Sequence, residues 1–520
     1  MKAYSINAIR NVALVGHGGT GKTSLAESML YVSGAIARMG RIDDGSSTSD
    51  FDADEIHRKM SINASVLPCE WKNTKINLID TPGYPDFVGD VISSLRAAEA
   101  ALLVVDGTGM IDVGTETCWD LANEAGITKL FFVNKLEKEN SDFYRTLEAL
   151  REKFGTSVAP LQLPIGAEDK FVGVVDLLTY KAYKWENGKV APTEIPGDMA
   201  DQIASMRESL IESVAEMDDA LMEKYFDQGT LDDAEIAKGL EIGVRSGKVV
   251  PVLCGSAMKM VGVDTLLDFI TASVPSPASV PSVKGKSPSG AEETRGPSDP
   301  FCALVFKTMA DPYVGKLTYF RMFSGSIKSD SHIYNANKER DERVGQVYFL
   351  LGKNQEATAE VGAGDIGAVA KLQETGTGDT LCDKSKAIVL EPIAFPDPVY
   401  SLAVKAKTKA DEDKLGPALH KLSEEDPTFR THRDSDTSQT LMAGLGDTHL
   451  DIAVERLKRK FGVEVDTETP KIAYRETITN TAESQGRHKK QTGGRGQFGD
   501  AWVRLSPQPR GVGYEYVDAI

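Results

Sequence analysis

Long apolar runs and paired cysteines are both missing from this sequence of 520 residues. No apolar stretch approaches the roughly 20 residues that a membrane-spanning helix needs, so we expect no membrane partner. The cysteines are Cys69, Cys118, Cys254, Cys302 and Cys382, with no close pair among them. Their scatter argues against a disulfide framework or a zinc site and favours a reducing, cytoplasmic setting.

Basic residues are fewer than acidic ones, and the net charge is −18. This balance disfavours nucleic acid as a partner, because binding to phosphates needs a basic face. The charge is uneven along the chain. Residues 186–248 hold 15 acidic and 6 basic residues, which is typical of a solvated helical face, with a docking surface as the alternative. Residues 486–497 (GRHKKQTGGRGQ), in contrast, are basic and rich in glycine.

The order of apolar segments predicts a multidomain α/β protein, since the chain is too long for one core. Residues 9–16 are typical of a strand that leads into a glycine loop. Further apolar strands are predicted at 75–79, 101–105 and 130–133, with helices between them. Strands that alternate with helices in this way predict a doubly wound, mostly parallel sheet with helices on both faces.

Changes in composition divide the chain into five predicted parts. Residues 1–274 form the α/β domain, with an acidic helical insertion at about 160–250. Residues 275–300, rich in proline, serine and glycine, are a linker. A β-barrel domain is predicted at 301–394, an α+β sandwich domain at 395–476, and the start of a further α+β domain at 477–520.

The first motif, GHGGTGKT at residues 16–23, matches the pattern G-x-x-x-x-G-K-[ST] between a strand and a helix. Its glycines let backbone N–H groups cradle phosphate oxygens, its lysine reaches the outer phosphates, and its last hydroxyl ligates Mg²⁺. The predicted phosphate contacts are Gly16, His17, Gly18, Gly19, Thr20, Gly21, Lys22, Thr23 and Ser24. A glycine loop without a ligand is the alternative, and packing is the favoured role of the histidine side chain.

A second motif, DTPGY at residues 80–84, follows the apolar strand 75–79. After a phosphate loop, Asp-Thr-Pro-Gly predicts a carboxylate that holds Mg²⁺ from a neighbouring strand end. The loop then passes the outer phosphate through Thr81, Pro82 and Gly83, with the glycine as a backbone contact. Tyr84 stands where this loop comes close to the reacting group, with packing on the loop as the alternative.

Two further motifs predict a guanine base. In NKLE (134–137), the amide bonds the N7 and O6 edge, the lysine stem packs on the ring, and the carboxylate accepts from N1–H and the 2-amino group. Adenine lacks that donor pair. Backbone N–H groups of CGSA (254–257) can donate to O6. The predicted base contacts are Asn134, Lys135, Leu136, Glu137, Ser256 and Ala257, and the predicted ligand is GTP or GDP.

With these four motifs in order, the sequence resembles the translational GTPases and, more closely, the elongation factor G family. Residues 300–325, 421–465 and 486–517 resemble that family's second, third and opening fourth domains. The resemblance implies that 1–274 is a P-loop GTPase domain and 477–520 a partial, ribosome-directed domain. Because the family continues beyond this point, we expect the chain to be incomplete at its C-terminus, and the departures from the family pattern given below favour a divergent paralogue.

The resemblance also implies a function. It implies a monomeric GTP hydrolase that binds GTP or GDP with Mg²⁺ and acts on the ribosome in translocation or recycling. The partners are then ribosomal RNA, met by the basic stretch 486–497, and stalk proteins, met by the acidic insertion. One basic element on an acidic body reconciles an RNA partner with the net charge.

Four departures from the family pattern lie around the nucleotide. Gly19 stands where an acidic residue is usual, and Glu137 stands in place of aspartate. The first-switch motif R-G-I-T corresponds to residues 58–61, RKMS, so Ser61 keeps a hydroxyl for Mg²⁺. Tyr84 replaces the histidine that orients the attacking water. Tyrosine offers a neutral hydroxyl where histidine can carry a positive charge.

These departures leave two alternatives beside the working factor. One is a guanine-nucleotide-binding, ribosome-associated regulator with weak or no GTPase activity. The other is a release factor 3-like GTPase, against which the stretch 486–517 argues, or a ribosome-protection GTPase, which the second and third domains resemble less. The predicted magnesium ligands are Thr23, Ser61 and Asp80, and the predicted catalytic contacts are Lys22, Gly83 and Tyr84.

Overall fold

The computed structural model describes residues 2–186, 189–280, 282–311, 315–474 and 476–519, without the side chains of residues 492 and 495. Parts of several predicted segments lie outside the described residues: the chain ends 1 and 520, 187–188 of the acidic insertion, 281 of the linker, 312–314 of the second-domain stretch and 475 of the third domain.

The first domain holds a parallel sheet with helices on its faces. Its elements are β1 (Ile9–Val15), α1 (Lys22–Val32), α2 (Ala53–Arg58), β2 (Ser65–Trp71), β3 (Thr74–Asp80), α3 (Val88–Ala97), β4 (Ala100–Asp106), α4 (Val113–Glu124), β5 (Thr128–Asn134), α5 (Phe143–Phe154), β6 (Val158–Pro160), β7 (Gln162–Ile165), β8 (Gly173–Asp176), β9 (Lys181–Glu186), β10 (Lys189–Thr193), α6 (Ala200–Ala215), α7 (Asp219–Gln228), α8 (Asp233–Ser246), β11 (Val250–Cys254) and α9 (Val263–Ser273).

Strand order in the main sheet is β2-β3-β1-β4-β5-β11-β6. Strand β2 runs antiparallel to its neighbour, and the other pairs are parallel. Every residue of β3 is buried, and part of that burial comes from the second domain, since Lys75 of β3 pairs with Asp365. The carboxyl ends of β1, β3, β5 and β11 therefore present the four predicted motifs along one edge. The predicted strands 75–79, 101–105 and 130–133 are confirmed, each within one to two residues.

The acidic insertion is helical only in its second part. Helices α6, α7 and α8 occupy residues 200–246, but β7 to β10 form an antiparallel sheet before them. The predicted linker also differs from expectation, since it contains β12 (Val283–Lys286) and β13 (Glu292–Arg295), which pair with each other. Neither strand has an apolar run of its own, so composition alone indicates a loop.

The second domain is an antiparallel β structure. Its strands are β14 (Cys302–Asp311), β15 (Gly315–Ser324), β16 (Ser326–Lys328), β17 (His332–Asn335), β18 (Arg340–Arg343), β19 (Val347–Leu351), β20 (Asn354–Thr358), β21 (Glu360–Gly362), β22 (Ile366–Ala370), β23 (Thr380–Cys382) and β24 (Val389–Leu390). Eight of them form one sheet in the order β18-β17-β23-β14-β15-β22-β19-β20. Buried ion pairs fasten this domain to the first, Lys75 to Asp365 at 2.8 Å and Arg321 to Glu99.

The third domain packs two helices on a four-stranded sheet. Its elements are β25 (Tyr400–Ala406), α10 (Lys409–Glu425), β26 (Arg430–Arg433), β27 (Thr440–Gly444), α11 (Asp447–Phe461) and β28 (Val465–Glu468). The last segment is an exposed hairpin of β29 (Ala482–Thr492) and β30 (Arg495–Leu505). Within the described part of the chain, no helix is both long and apolar enough to cross a membrane.

Candidate nucleotide site

Lys22 lies at the centre of the phosphate loop. Helix α1 begins at this residue, and Gly21 before it has a φ of 94°. The Lys22 ammonium donates to the carbonyl oxygens of Gly16 and His17, both at 2.9 Å. Burial lowers the pKa of Lys22, and the charge of Asp80 opposes that shift. The loop thus holds a buried cation beside the N-terminus of a helix, an arrangement that favours phosphate.

Gly83 lies directly against this loop. A Cβ atom at residue 83 would overlap the Lys22 ammonium and come within 2.7 Å of the Gly18 nitrogen. A side chain there would therefore fill the cradle formed by the lysine and the loop N–H group. The structure brings the two predicted phosphate-side contacts, Lys22 and Gly83, together.

Hydroxyl and carboxylate oxygens converge on the predicted metal side. Thr23 Oγ1 and Ser61 Oγ lie 3.0 Å apart. Asp80, 1% exposed, accepts a hydrogen bond from Ser49 at 2.7 Å through Oδ2, while its buried Oδ1 has no hydrogen-bond partner among the described residues. Burial raises the pKa of Asp80, and hydrogen bonds from Ser49 and Thr23 oppose the rise.

These oxygens fit Mg²⁺, which prefers hard oxygen ligands and keeps several waters. The orphaned, buried Asp80 Oδ1 is the atom that a cation would satisfy. Among the residues that the structure describes, no group of three or more His, Cys, Asp or Glu side chains could hold a metal ion. The fit therefore rests on two hydroxyls and one carboxylate, with phosphate oxygens and water as the remaining ligands.

Tyr84 is half exposed, at 50% of its surface, and its ring faces the phosphate loop. A Cβ atom at Gly18 would come within 3.1 Å of the tyrosine ring. On its other side the loop turns into a short 3-10 helix at Pro85–Phe87, and Phe87 is buried. The tyrosine ring thus packs on the phosphate loop, with part of its surface open to solvent.

Other predicted phosphate-side residues have mainly structural side-chain contacts. The Thr81 hydroxyl donates to the Leu14 carbonyl at 2.7 Å and so holds β3 to β1. The Thr20 hydroxyl donates to the His17 carbonyl at 3.1 Å, and the Ser24 carbonyl accepts from Ser28 at 2.7 Å. Pro82 is buried, and Gly19 is exposed.

The His17 ring packs toward helix α4. A Cβ atom at Gly114, the second residue of that helix, would lie 2.7 Å from His17 Nδ1. This nitrogen is buried and has no hydrogen-bond partner within the described ranges. The position fits the packing role that the sequence favours for this side chain.

Asn134, at the carboxyl end of β5, connects the loops of the base side. Its Nδ2 donates to the Thr20 carbonyl at 3.0 Å, and its Oδ1 accepts from the Ala257 N–H at 2.9 Å. Ser28 of α1 donates to the Ala257 carbonyl at 2.6 Å. A single buried amide thereby joins the phosphate loop to the loop after β11.

Lys135 lies across the phosphate loop from this amide. Its ammonium donates to the Gly19 carbonyl at 2.6 Å and pairs with Asp106 at 2.7 Å. Glu137 has a buried Oε2 to which no described residue donates. Leu136 is buried, and the Ser256 hydroxyl accepts from the Lys259 N–H at 3.0 Å. The predicted NKLE and CGSA residues lie side by side, since the Leu136 N–H donates to the Gly255 carbonyl at 3.4 Å and the Ala257 N–H donates to Asn134.

Comparison with models of protein families gives four matches in chain order. Residues 7–276 match the Elongation factor Tu GTP binding domain, which is more than half of the 520 residues. Residues 300–384 match Elongation factor G domain 2, 395–469 match Elongation Factor G, domain III, and 470–520 match Elongation factor G, domain IV. The chain belongs to the elongation factor G family.

A solved structure agrees with this assignment over most of the chain. It is a crystal structure of a protein from Thermus thermophilus, 36% identical in sequence, with a TM-score of 0.86. The match covers 96% of this chain and 73% of that one. At this identity and coverage, the two chains share one fold across the four matched regions.

The fold of this chain brings further residues to the site that the sequence motifs do not indicate. Asp50, 3% exposed, is one, and burial together with the charges of Asp80 and Glu55 raises its pKa to about 8. Glu27 of α1 is another, because its buried carboxylate accepts from backbone N–H groups of the segment that follows α1. The capping box between Asp52 and Glu55, readable as D-x-x-E, is the local signal in this segment.

The segment that carries Ser61 also touches the third domain. Asp54 of α2 pairs with Arg456 at 3.1 Å and with Arg459 at 2.7 Å, both on α11. Arg58 pairs with Glu455 at 2.7 Å. Lys59, which follows, has a φ of 54°, a left-handed conformation in which glycine is favoured over a side chain. Ion pairs with α11 of the third domain therefore flank Lys59, whose backbone is strained and which lies two residues before the predicted metal ligand Ser61.

Proposed function

We propose that this chain binds GTP and GDP with Mg²⁺ and hydrolyses GTP on the ribosome, in translocation or recycling. The observation that carries the proposal is the pair of Asn134 contacts, to the Thr20 carbonyl at 3.0 Å and from the Ala257 N–H at 2.9 Å. They hold a phosphate loop and a guanine-facing loop at a fixed distance. Membership of the elongation factor G family supports the ribosome as the site of action, and hence the cytoplasm as the setting.

The phosphates of the nucleotide would be bound by the loop 16–24, with Lys22 as its buried cation. Thr23, Ser61 and Asp80 would hold Mg²⁺, which neutralises charge on the phosphate oxygens. Gly83 would donate its N–H toward the outer phosphate, because no side chain separates it from Lys22. Positioning and charge stabilisation of this kind supply nearly all the catalysis in phosphoryl transfer.

The guanine ring would lie between Lys135 and the 254–257 loop. The Lys135 ammonium is anchored by Asp106 at 2.7 Å, which leaves its stem to pack on the ring. The buried Glu137 Oε2 would accept from the base N1–H and 2-amino group. Leaving that buried acceptor without a donor costs free energy, so adenine is discriminated against.

Tyr84 would make a single hydrogen bond with the attacking water, as donor or as acceptor. The phenol side chain of tyrosine, unlike imidazole, has no cationic form. It therefore orients water without bringing the positive charge that a histidine can bring. We propose hydrolysis that is slower than in a factor with histidine at this position.

Two surfaces support a ribosomal partner. Helices α6 to α8 carry most of the acidic excess of residues 186–248 and suit the basic surface of a stalk protein. The exposed hairpin of β29 and β30 carries Arg487, His488, Lys489 and Lys490 beside the exposed ring of Phe498. Cations next to an aromatic ring suit ribosomal RNA.

We also propose the domain boundaries 1–274, 301–394, 395–476 and 477–520, which agree with the order of helices and strands along the chain.

Multiple-turnover hydrolysis with and without ribosomes tests the proposal. GTP should be hydrolysed, ATP should not, and ribosomes should raise the rate. The variant Asn134→Ala removes the amide that joins the two loops and leaves Lys22 and Gly83 in place. It should abolish GTP hydrolysis. Hydrolysis of ATP at the same rate as GTP would refute the guanine site.

A second candidate function is a regulator that binds the ribosome with GTP and turns it over slowly or not at all. The packing of the Tyr84 ring against Gly18 favours it, because a ring held on the loop need not reach water. The same assay separates the two. Ribosome binding that requires GTP, without ribosome-stimulated turnover, would identify the regulator.

A further inference from the structure

Glu27 is a buried acid of α1 that no motif assigns to the nucleotide. It is 1% exposed, and it lies four residues after Thr23, on the helix that begins at the phosphate loop. Its carboxylate accepts from the N–H groups of Gly40 at 2.9 Å and Thr48 at 2.5 Å. It also accepts from the hydroxyls of Ser47 at 3.2 Å and Thr48 at 3.3 Å. Four donors from one segment thus meet a single carboxylate.

The opposite side of Thr48 faces the second domain. Gly352 lies in the turn between β19 and β20, and its N–H donates to the Val66 carbonyl at 3.2 Å. A Cβ atom at this glycine would collide with the Thr48 carbonyl oxygen. Thr48 is therefore enclosed between helix α1 of the first domain and a turn of the second.

The residue after Thr48 reaches the metal side. Ser49 donates to Asp80 Oδ2 at 2.7 Å, and its own carbonyl accepts from the Ser65 hydroxyl at 2.8 Å. Because Thr48 is fixed on both sides, the reach of Ser49 to Asp80 is fixed as well. Asp80 then keeps one orientation. Its other oxygen, Oδ1, is buried and accepts no hydrogen bond from any described residue.

We propose that Glu27 is a positioning residue for the metal side of the nucleotide site. It acts through Thr48 and Ser49 on Asp80. Glu27 and Gly352 of the second domain hold Thr48 from opposite sides, and we call this arrangement the clamp. The inference rests on the proposed binding of GTP with Mg²⁺ and deepens it, because it makes metal affinity depend on contact between two domains. Hydrogen-bond partners of metal ligands, the place that Ser49 holds here, typically change metal affinity by about 10- to 100-fold when they are lost, and Glu27 acts through this partner.

The test compares Glu27→Gln with Glu342→Gln in the full chain. Glu342 is a matched control, 8% exposed in the second domain, where it accepts from the N–H groups of Gln373 at 2.6 Å and Glu374 at 3.2 Å. The Mg²⁺ concentration for half-maximal binding of a fluorescent GTP analogue should rise about 10- to 100-fold in Glu27→Gln. It should stay unchanged in Glu342→Gln, and binding of GDP in EDTA should stay unchanged in both.

A second measurement needs no nucleotide. Trypsin can cleave after the exposed residues Arg38 and Arg41, which belong to the segment 33–52 that the clamp holds. Cleavage there in the nucleotide-free protein should be faster in Glu27→Gln and in Gly352→Ala than in wild type and Glu342→Gln. If the wild-type protein does not bind guanine nucleotide, the proposed function fails. The cleavage rates still decide whether the clamp exists.

Wild-type Mg²⁺ requirement together with wild-type cleavage in Glu27→Gln would overturn the inference. If Glu27→Gln fails to fold, Thr48→Val carries the test, because it removes one hydroxyl donor and keeps the backbone N–H. Thr48→Val should then raise the Mg²⁺ requirement and the cleavage rate, and wild-type values for both would overturn the inference.

Discussion

The hydroxyl oxygens of Thr23 and Ser61 lie 3.0 Å apart, although the residues belong to different elements. Thr23 is in the first turn of α1, and Ser61 follows α2. Their contact joins the phosphate loop to the segment that meets α11 of the third domain. A serine thus reaches the metal side without the methyl group that restricts threonine to fewer rotamers.

Removing the Ser61 hydroxyl should weaken GTP binding only when Mg²⁺ is present. We expect Ser61→Ala to lower the affinity about tenfold in Mg²⁺, because one oxygen ligand is lost. Ser61→Thr is the control and should match or exceed wild type. Titration of a fluorescent GTP analogue in Mg²⁺ and in EDTA measures both values. Equal losses in the two buffers would mean that Ser61 supports the fold rather than the metal.

Replacing Tyr84 by histidine should accelerate hydrolysis. We expect Tyr84→His to raise the single-turnover rate on ribosomes about 100-fold or more, the lower end of what a positioned acid–base group contributes. GTP affinity should not change, since the ring packs on the glycine backbone of the loop. Tyr84→Phe separates the hydroxyl from the ring and should be slower than wild type. An unchanged rate in Tyr84→His would move the limitation to Ser61 or Lys59.

The carboxylate of Glu137 should decide which purine binds. In Glu137→Gln the acceptor for the 2-amino group becomes an amide, which can donate to the 2-oxo group of xanthine. We expect GDP affinity to fall about a hundredfold and the affinity for xanthosine diphosphate to rise. Calorimetric titration with the two diphosphates measures the exchange. Unchanged preference for guanine would show that the buried Oε2 does not face the base.

The third domain should lose stability in acid through Asp426. His449 Nε2 lies 2.9 Å from this carboxylate. Burial alone would raise the pKa of Asp426, but the hydrogen bond and charge of His449 lower it below the usual value. A lowered folded pKa stabilises the domain above about pH 4, and the contribution is lost as the pH falls through the folded pKa.

We therefore expect Asp426→Asn to cost about 1 kcal/mol near pH 7 and to flatten the acid limb of the pH profile. Hydrogen exchange of α11 amides between pH 7 and pH 3 measures the effect. The control is Asp397→Asn, because Asp397 is exposed and pairs at the surface with Arg430. A loss of protection that is equally steep in Asp426→Asn and wild type would contradict the assignment.

The local motifs could be located from the sequence because each works through backbone and neighbouring residues. Lys22 and Gly83 meet because the strands that precede them, β1 and β3, are adjacent and parallel. Asn134 follows a recognisable apolar strand. Parallel strands place such residues at one sheet edge whatever the rest of the chain does.

Contacts between distant segments had no such signal. Glu27 and Thr48 look like ordinary polar residues of a helix and a loop, and their contact depends on how residues 33–52 fold back. Lys75 and Asp365 lie 290 residues apart, so their buried pairing needs two finished domains. The strands in the predicted linker also depend on a partner, β24, that lies about a domain's length away.

Calorimetric titration of the wild-type chain with GDP and with ADP in Mg²⁺ decides whether the four loops form a site for guanine nucleotide. GDP should bind at least about a hundredfold more tightly than ADP, since only guanine satisfies Glu137 and the 254–257 loop. Equal affinities for the two nucleotides would mean that these loops do not recognise the guanine base.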